Sequence, residues 1–135
     1  MVVGHVVGHD HAVEAHVAHI ERVNGAINAV VRTRFEEARA EADAVDRTLS
    51  ADRPDQVPPF FGVPCTIKEC FAMAGMPHTS GLVSRKGVTA TEDATAVARL
   101  KGAGAIPLGA IGPTHKTVEI LSNLLHTSVK QVLAG

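Results

Sequence analysis

The sequence predicts an α/β fold, because a strand, a loop, a helix and a second strand follow one another between residues 63 and 109. That order is typical of a parallel crossover unit. Two amphipathic helices are predicted before this unit, over residues 10–24 and 32–49, and one more after it, over residues 117–133. A chain of 135 residues has the usual size of one folded domain.

The first helix is predicted to begin at Asp10, whose carboxylate can cap the free amides of the first turn, and to end near Asn24-Gly25. Its apolar positions recur at spacings of four and three, at Val13, Val17 and Ile20. The short apolar stretch 26–31 that follows can extend into a strand or a turn.

The second helix, from Arg32 to about Leu49, has the clearest amphipathic pattern in the chain. Charged side chains cover its other positions, and they indicate a solvated face rather than a binding surface. The polar, proline-rich residues 50–59 then predict a loop. The apolar stripe of this helix consists of Phe35, Ala38, Ala42, Val45 and Leu49.

The stretch Pro59–Glu69 predicts a turn that leads into a short strand carrying a lysine inward. Side chains along a strand alternate between its two faces. We therefore expect two alternating sets of side chains, one on each face, with Lys68 in the second set. The first set is Val63, Cys65 and Ile67, and the second is Pro64, Thr66 and Lys68.

Residues 70–90 are rich in Gly, Ser, Thr and Met and predict an ordered loop, a feature that is often functional at this length. A helix capped by Thr91 or Asp93 is then predicted to run to about Lys101. It should bury Ala94, Val97, Ala98 and Leu100. The apolar stretch Ala105–Gly109 predicts a buried strand that completes the crossover.

Composition excludes several classes of function. The net charge of −1 leaves no electrostatic footprint for nucleic acid or an anionic membrane, and four Phe with no Trp or Tyr offer little for base stacking. Apolar runs are too short to span a bilayer, so we expect a soluble, cytoplasmic protein. Cys65 and Cys70 would lie on the order of 16 Å apart on an extended chain, too far for a disulfide and consistent with a reducing compartment.

Two possible ligand sites are weak. His16 and His19 share a helix face, but no cysteine or carboxylate stands at a familiar ligand spacing, so we predict no metal. Residues 109–117 follow a strand and end in Lys-Thr, as a phosphate-binding loop does. However, Ala110 and His115 stand where that loop requires glycines.

Lys68 has two interpretations on residue pattern alone. It can end a strand with its stem packed and its ammonium in water. Alternatively it can act as a base, which requires its pKa to fall by about three units from ~10.4 through desolvation or like charge. Glu69 would oppose that fall if the two groups met, but strand alternation sends it to the opposite face.

Several blocks in this chain resemble, in order and spacing, the N-terminal part of the amidase signature family. The resemblance covers residues 13–109. Residues 20–24 and 34–46, with Pro77 and Leu108, are also similar to the type-2 fatty-acid amide hydrolases within that family. The blocks are Phe61–Glu69, Ala74–Pro77, Thr79–Gly81, Asp93–Ala98 and Gly102–Gly109.

The resemblance implies amide-bond hydrolysis by a Ser–Ser–Lys triad on a large α/β/α fold, with a small-molecule amide as substrate. We expect no cofactor. The family's lysine follows a Gly-Val-Pro block, and the matching residue here is Lys68. In the family this lysine takes a proton through a bridging serine and so activates a second serine as nucleophile.

The sequence departs from the family in one decisive respect. Both serines and the oxyanion amides belong to a Gly-Ser-Ser-Gly-Gly-like block, which these 135 residues do not contain. From Ala110 onward the family pattern is not followed. We therefore expect an N-terminal part of an amidase domain over residues 1–109 and an unmatched helix in residues 110–135. Ser80, Ser84, Ser122 and Ser128 lie in no matching context.

Two classes of function remain open. In the first, the chain is a truncated amidase-family protein that keeps Lys68 but lacks its nucleophile, so the isolated chain is predicted to be inactive. In the second, it is a non-catalytic interaction fragment or pseudoenzyme whose unpaired strand edges favour self-association.

Overall fold

A computed structural model describes residues 8–51 and 56–112 of the chain. Helices and strands are interleaved along them, which confirms the predicted α/β class. One turn of 3₁₀ helix, Val83–Arg85, interrupts the long loop before the last helix. The elements are α1 (His9–Ile27), β1 (Val30–Thr33), α2 (Phe35–Ala51), β2 (Pro64–Lys68), α3 (Thr95–Gly102) and β3 (Ile106–Ile111).

The three strands form one sheet in the order β1–β3–β2. β2 and β3 are parallel and are connected through α3, which confirms the predicted crossover unit. β1 runs antiparallel to β3 on its other side. β3 extends two residues beyond its predicted end at Gly109, because Ala110 and Ile111 pair with both neighbouring strands.

The first helix starts and ends elsewhere than the sequence predicts. Its N-terminal cap is Gly8, which makes no side-chain cap hydrogen bond, and Asp10 lies inside the first turn. The helix also continues past Asn24-Gly25 to Ile27 and ends at Asn28, whose φ of 48° is left-handed. Asn24 does not end the helix; its side-chain amide exchanges two hydrogen bonds with the backbone of Val30, at 2.9 and 2.8 Å.

The second helix begins at Phe35 rather than at Arg32. Arg32 and Thr33 belong to β1, where they pair with Ala110 and Gly109 of β3. Pairing with a strand more than seventy positions away thus overrides the helical pattern at this end, in the way that tertiary contacts commonly override local propensity. The other end of α2 takes in the first residues of the predicted loop, Ser50 and Ala51.

Two clusters of buried apolar side chains hold these elements together. In the first, α1 and α2 cover β3; in the second, α3 and the long loop cover Ile67 of β2. Both predicted helical stripes contribute buried residues to the first cluster, so their periodicity is confirmed. The first cluster contains Val13, Val17, Ala38, Ala42, Val45, Ile106 and Leu108, and the second contains Ile67, Met73, Met76 and Val97.

The third helix is short and is capped by neither predicted residue. Its cap position is Ala94, without a side-chain hydrogen bond, and Ala98, predicted to face inward, is exposed. Asp93 instead accepts hydrogen bonds from the Ala74 amide and the Lys101 ammonium, both at 2.8 Å, and so ties the loop to the helix.

No helix in residues 8–51 and 56–112 combines the length and the apolar character needed to cross a membrane. The helix predicted over residues 117–133 and most of the near-miss phosphate loop lie outside the described residues.

Candidate active site

Lys68 is the last residue of β2, and its side chain is exposed rather than turned inward as predicted. The alternation itself is confirmed, because Ile67 and Glu69 on either side of it are buried, at 6% and 4% exposure. Since those two side chains enter the interior, the pleat of the strand turns Lys68 outward. The described residues therefore do not supply the desolvation that an inward lysine would have.

The Lys68 side chain lies along an open, mainly apolar groove of about 340 Å³, between the end of β2 and helix α3. Lys68 is its only charged lining residue in the described part of the chain, and Phe71 at its rim is half exposed. The other lining residues are Thr66, Ile67, Ala96, Val97, Leu100 and Ile111.

Glu69 organises the loop that follows β2. Its carboxylate accepts hydrogen bonds from the amide and the hydroxyl of Thr79, the latter at 2.6 Å, and from the amide of Ser80 at 2.9 Å. Its own amide donates to the Ile111 carbonyl at 2.8 Å. The turn that it holds is tight, because Ser80 and Gly81 both have positive φ values, 52° and 73°. Glu69 therefore joins the end of the sheet to a strained part of the loop.

These hydrogen bonds also keep Glu69 ionised. Burial by itself raises the pKa of the Glu69 carboxyl, but the hydroxyl of Thr79 and the amides of Thr79 and Ser80 outweigh burial and hold the pKa below its ordinary value. The negative charge next to Lys68 in sequence is thus compensated within the loop, on the other face of the strand. This confirms the expectation that Glu69 points away from Lys68.

The serines of the described residues do not form a nucleophile for Lys68. Ser50 is exposed in the last turn of α2. Ser80 is exposed and its amide donates to Glu69, while Ser84 is exposed in the 3₁₀ turn. Cys65 and Cys70 are both free thiols, and burial raises the pKa of the Cys65 thiol, which disfavours its thiolate. Ser122 and Ser128 lie outside the described residues.

The helical histidines engage partners other than a metal. The Nδ1 atom of His16 lies 2.7 Å from the Ala12 carbonyl, and that of His19 lies 2.8 Å from the Arg22 guanidinium. Over residues 8–51 and 56–112, no group of three or more His, Cys, Asp or Glu side chains is arranged to hold a metal ion.

Sequence reasoning missed two carboxylates with structural roles. Glu69 was considered only for its effect on Lys68, although Thr79-Ser80-Gly81 nearby was a signal for a turn that needs an acceptor. Asp46 was assigned to a solvated face, whereas it accepts hydrogen bonds from the amides of His9 and Asp10, at 2.9 and 3.0 Å. No local signal indicated this second role, because its partners are 36 and 37 positions away.

A family model described as Amidase matches residues 11–112, which is most of the chain and includes β2 and Lys68. The chain belongs to the amidase family. Human fatty-acid amide hydrolase 2 is 51% identical to it over 102 residues, which are 72% of this chain and 19% of that protein.

Solved structures give the same fold. A bacterial aryl acylamidase of the amidase signature family superimposes with a TM-score of 0.66 at 27% identity, over 78% of this chain and 22% of that chain. Peptide amidase from Stenotrophomonas maltophilia gives a TM-score of 0.67 at 26% identity, over 78% and 21% of the two chains. The chain thus spans about a fifth of the length of the amidases that it matches.

Proposed function

We propose that this chain provides the lysine-bearing part of an amide hydrolase site, with Lys68 as the general base. The observation that carries the proposal is the place of Lys68 at the end of β2, with its amine on an open groove and its acidic neighbour Glu69 directed into the loop. Family membership supports the reaction class, since the matched residues 11–112 include this strand.

Lys68 acts in this proposal by accepting a proton from a serine, directly or through a second serine. The amine must be neutral to do so, and a nearby uncompensated carboxylate would favour its charged form. The hydrogen bonds of Glu69 to Thr79 and Ser80 limit that opposing effect. Further desolvation has to come from whatever covers the groove, because Lys68 is exposed in the described residues.

The 135 residues alone do not hydrolyse amides in this proposal. They contain no pair of adjacent serines, and Ser80 and Ser84 are placed for loop structure rather than for catalysis. As substrate class for a complete site we propose fatty-acid amides, because the human relative at 51% identity carries that name.

A chimera tests the role of Lys68. Residues 11–112 of this chain replace the matching stretch of human fatty-acid amide hydrolase 2, which supplies the rest of an amidase. We expect the chimera to hydrolyse a fatty-acid anilide and Lys68→Ala to reduce kcat by at least about 10²-fold, the contribution typical of a general base. Lys86→Ala, an exposed lysine on the loop, is the matched control and should keep full activity.

Equal activity of the Lys68→Ala and Lys86→Ala chimeras would refute the proposed role of Lys68. The isolated chain is tested separately with the same anilide. Hydrolysis by the isolated chain, lost on Lys68→Ala, would refute the proposal that these residues are inactive alone.

A second candidate function is a non-catalytic fragment that self-associates. Within the described sheet β2 pairs only with β3, so its other edge carries unpaired backbone groups, which favour pairing with a further strand. Val63 beside this edge is 44% exposed. Light scattering tests this function: a clean monomer across a range of concentrations would contradict it.

A further inference from the structure

The backbone groups of β2 point alternately to its two edges, and hydrogen bonds at its two ends show which residues face β3. The Val63 carbonyl accepts from the Ile106 amide, and the Glu69 amide donates to the Ile111 carbonyl, each at 2.8 Å. Val63 and Glu69 are separated by an even number of positions, so one regular alternation connects them.

The alternation is not interrupted inside β2, although the pairing with β3 is irregular. Register partners step from Cys65–Pro107 to Ile67–Ala110, so the extra residue of the irregular pairing belongs to β3. The residues between the β3-facing ones therefore direct their backbone groups to the outer edge of β2. These residues are Pro64, Thr66 and Lys68.

The outer edge of β2 presents an unequal set of donors and acceptors. Thr66 presents both an amide and a carbonyl. Pro64 presents a carbonyl only, because proline has no N–H. Lys68 presents an amide only, because its carbonyl already accepts from the Phe71 amide at 2.8 Å. The missing donor and the occupied acceptor thus lie two positions before and two positions after Thr66.

A second copy of this edge, running antiparallel, matches that set of groups. In an antiparallel pair, opposite residues exchange two hydrogen bonds at every second position. If Thr66 lies opposite Thr66 of the second copy, the two residues exchange both bonds. Lys68 then lies opposite Pro64 of the second copy and donates to its carbonyl. The absent proline donor faces a lysine carbonyl that Phe71 already satisfies.

Other registers do not match. A shift of two residues in either direction places the Thr66 amide or the Thr66 carbonyl opposite a group that cannot pair with it. The register centred on Thr66 also separates like charges, because the two Lys68 residues lie at opposite ends of the pair, about 14 Å apart along the strands. The two Thr66 side chains meet at the centre, a favourable cross-strand pair.

The opposite edge of the described sheet is protected. The Asn24 side chain exchanges two hydrogen bonds with the backbone of Val30 in β1, at 2.9 and 2.8 Å. It therefore occupies groups that a further strand would use, as proteins commonly do at sheet edges. Pairing through β2 alone, about a two-fold axis, closes at a dimer.

We propose that two copies of this chain pair antiparallel along β2, about a two-fold axis at Thr66, so that their sheets become continuous. This inference rests on the second candidate function, self-association, and names its partner and its register. The pairing also places Pro64 of the second copy beside Lys68. Each Lys68 groove, which Thr66 also lines, therefore gains a wall from the other copy.

Site-specific cross-linking tests the register. Cys65→Ala/Cys70→Ser removes the two free thiols of the described residues. In this background, Thr66→Cys places two thiols opposite each other, with about 5.5 Å between Cα atoms, which is within disulfide range. We expect oxidation to cross-link it at least about tenfold faster than Thr48→Cys, because paired thiols meet at a high effective concentration. Thr48 is the matched control, an exposed threonine on α2.

Light scattering over a range of concentrations tests the hydrogen bonds. Thr66→Pro removes the central amide of each copy, and we expect it to raise the dissociation constant of the dimer at least about tenfold. Thr66→Val keeps both backbone groups and should associate as the unaltered chain does. Circular dichroism checks that Thr66→Pro is folded. The cross-linking result does not depend on it, since Thr66→Cys keeps every backbone group.

The outcomes separate this inference from the functions on which it does and does not depend. A monomer at every concentration would overturn self-association and this pairing together. A dimer in which Thr66→Cys and Thr48→Cys cross-link equally fast would overturn the register and leave self-association standing. Assemblies that keep growing with concentration would overturn the two-fold closure. The role of Lys68 as a base is tested separately by the chimera.

Discussion

Glu69 and Thr79 are joined by two hydrogen bonds, from the amide and the hydroxyl of the threonine, although they are ten residues apart. A third hydrogen bond, from the Ser80 amide, completes the contact. The buried Glu69 carboxylate thus accepts hydrogen bonds from backbone amides of the loop that the turn at Ser80 and Gly81 leaves without a backbone acceptor. The end of β2 and the loop after it act as one unit.

Removal of the Glu69 carboxylate should therefore destabilise the chain strongly. We expect Glu69→Ala to lower the free energy of unfolding by about 2–4 kcal/mol, because it leaves three part-buried donors of Thr79 and Ser80 without their charged acceptor. Urea unfolding measures the change. Glu92→Ala, an exposed glutamate before the next helix, is the control and should change stability by no more than about 0.5 kcal/mol. Equal losses in the two variants would contradict the role of Glu69.

Asp46 should confer a pH dependence on the stability of the α1–α2 pair. Burial raises the pKa of its carboxyl, but hydrogen bonds from the amides of Asp10 and His9 and from the His9 ring lower it to about 2. Because the folded pKa is depressed, the stabilisation is present above the unfolded value near 4 and is lost as pH falls from about 4 to about 2.

We expect Asp46→Asn to remove most of this acid dependence and to cost about 1–2 kcal/mol at pH 7, as the loss of a helix cap does. Thermal unfolding at a series of pH values measures both effects. The exposed Asp43, on the same helix, is the matched position, and Asp43→Asn should keep the acid dependence. If Asp46→Asn lost stability between about pH 4 and about pH 2 as steeply as the unaltered chain does, the proposed role of Asp46 would be refuted.

Gly104 should tolerate a side chain less well than Gly75, although both have left-handed backbones, with φ values of +91° and +79°. A Cβ atom on Gly104 would lie 2.7 Å from the Phe61 Cα atom, whereas one on Gly75 would meet nothing within 4 Å. We expect Gly75→Ala to cost about 1–2 kcal/mol from the backbone alone, and Gly104→Ala about 1–3 kcal/mol more from the clash. Equal losses of stability in urea would contradict this close approach.

Arg34 should stabilise the fold more through its hydrogen bond to the Pro107 carbonyl than through its ion pair with Glu41. Its guanidinium donates to the Pro107 carbonyl at 2.7 Å and pairs with Glu41 at 2.6 Å. The Arg34 side chain is 12% exposed and that of Glu41 is 41% exposed, so solvent weakens the pair but not the carbonyl contact. We expect Arg34→Met to cost about 1–3 kcal/mol and Glu41→Gln at most about 1 kcal/mol. The opposite order in urea unfolding would refute this partition.

The residue pattern was sufficient for the elements whose structure depends on near neighbours. The period-2 alternation from Cys65 to Glu69 indicated which side chains share a face of the strand, and the loop and helix that follow indicated a parallel crossover. The amphipathic stripe of α2 indicated its buried face, since Ala38, Ala42 and Val45 recur with the helical period. These are local properties, because backbone geometry alone determines which face a side chain takes.

Element ends and charged side chains depended on distant contacts, and the sequence misled there. Asn24-Gly25 indicated a helix end, but Asn24 instead bonds the backbone of Val30, and the helix continues past both residues. Asp10 indicated a cap, but the acceptor at that helix start is Asp46, from another helix. Arg32 followed a helical pattern, but pairing with β3 draws it into a strand.

Lys68 shows most clearly what the local sequence pattern determines and what tertiary contacts determine. Its place in a strand, opposite in direction to Ile67 and Glu69, follows from alternation, and its family assignment follows from the blocks around it. Whether that direction is inward or outward depends on what packs on each face of the sheet. Only the tertiary structure decides this, because burial results from contacts with α3 and with the loop that Glu69 holds, and no local pattern encodes them.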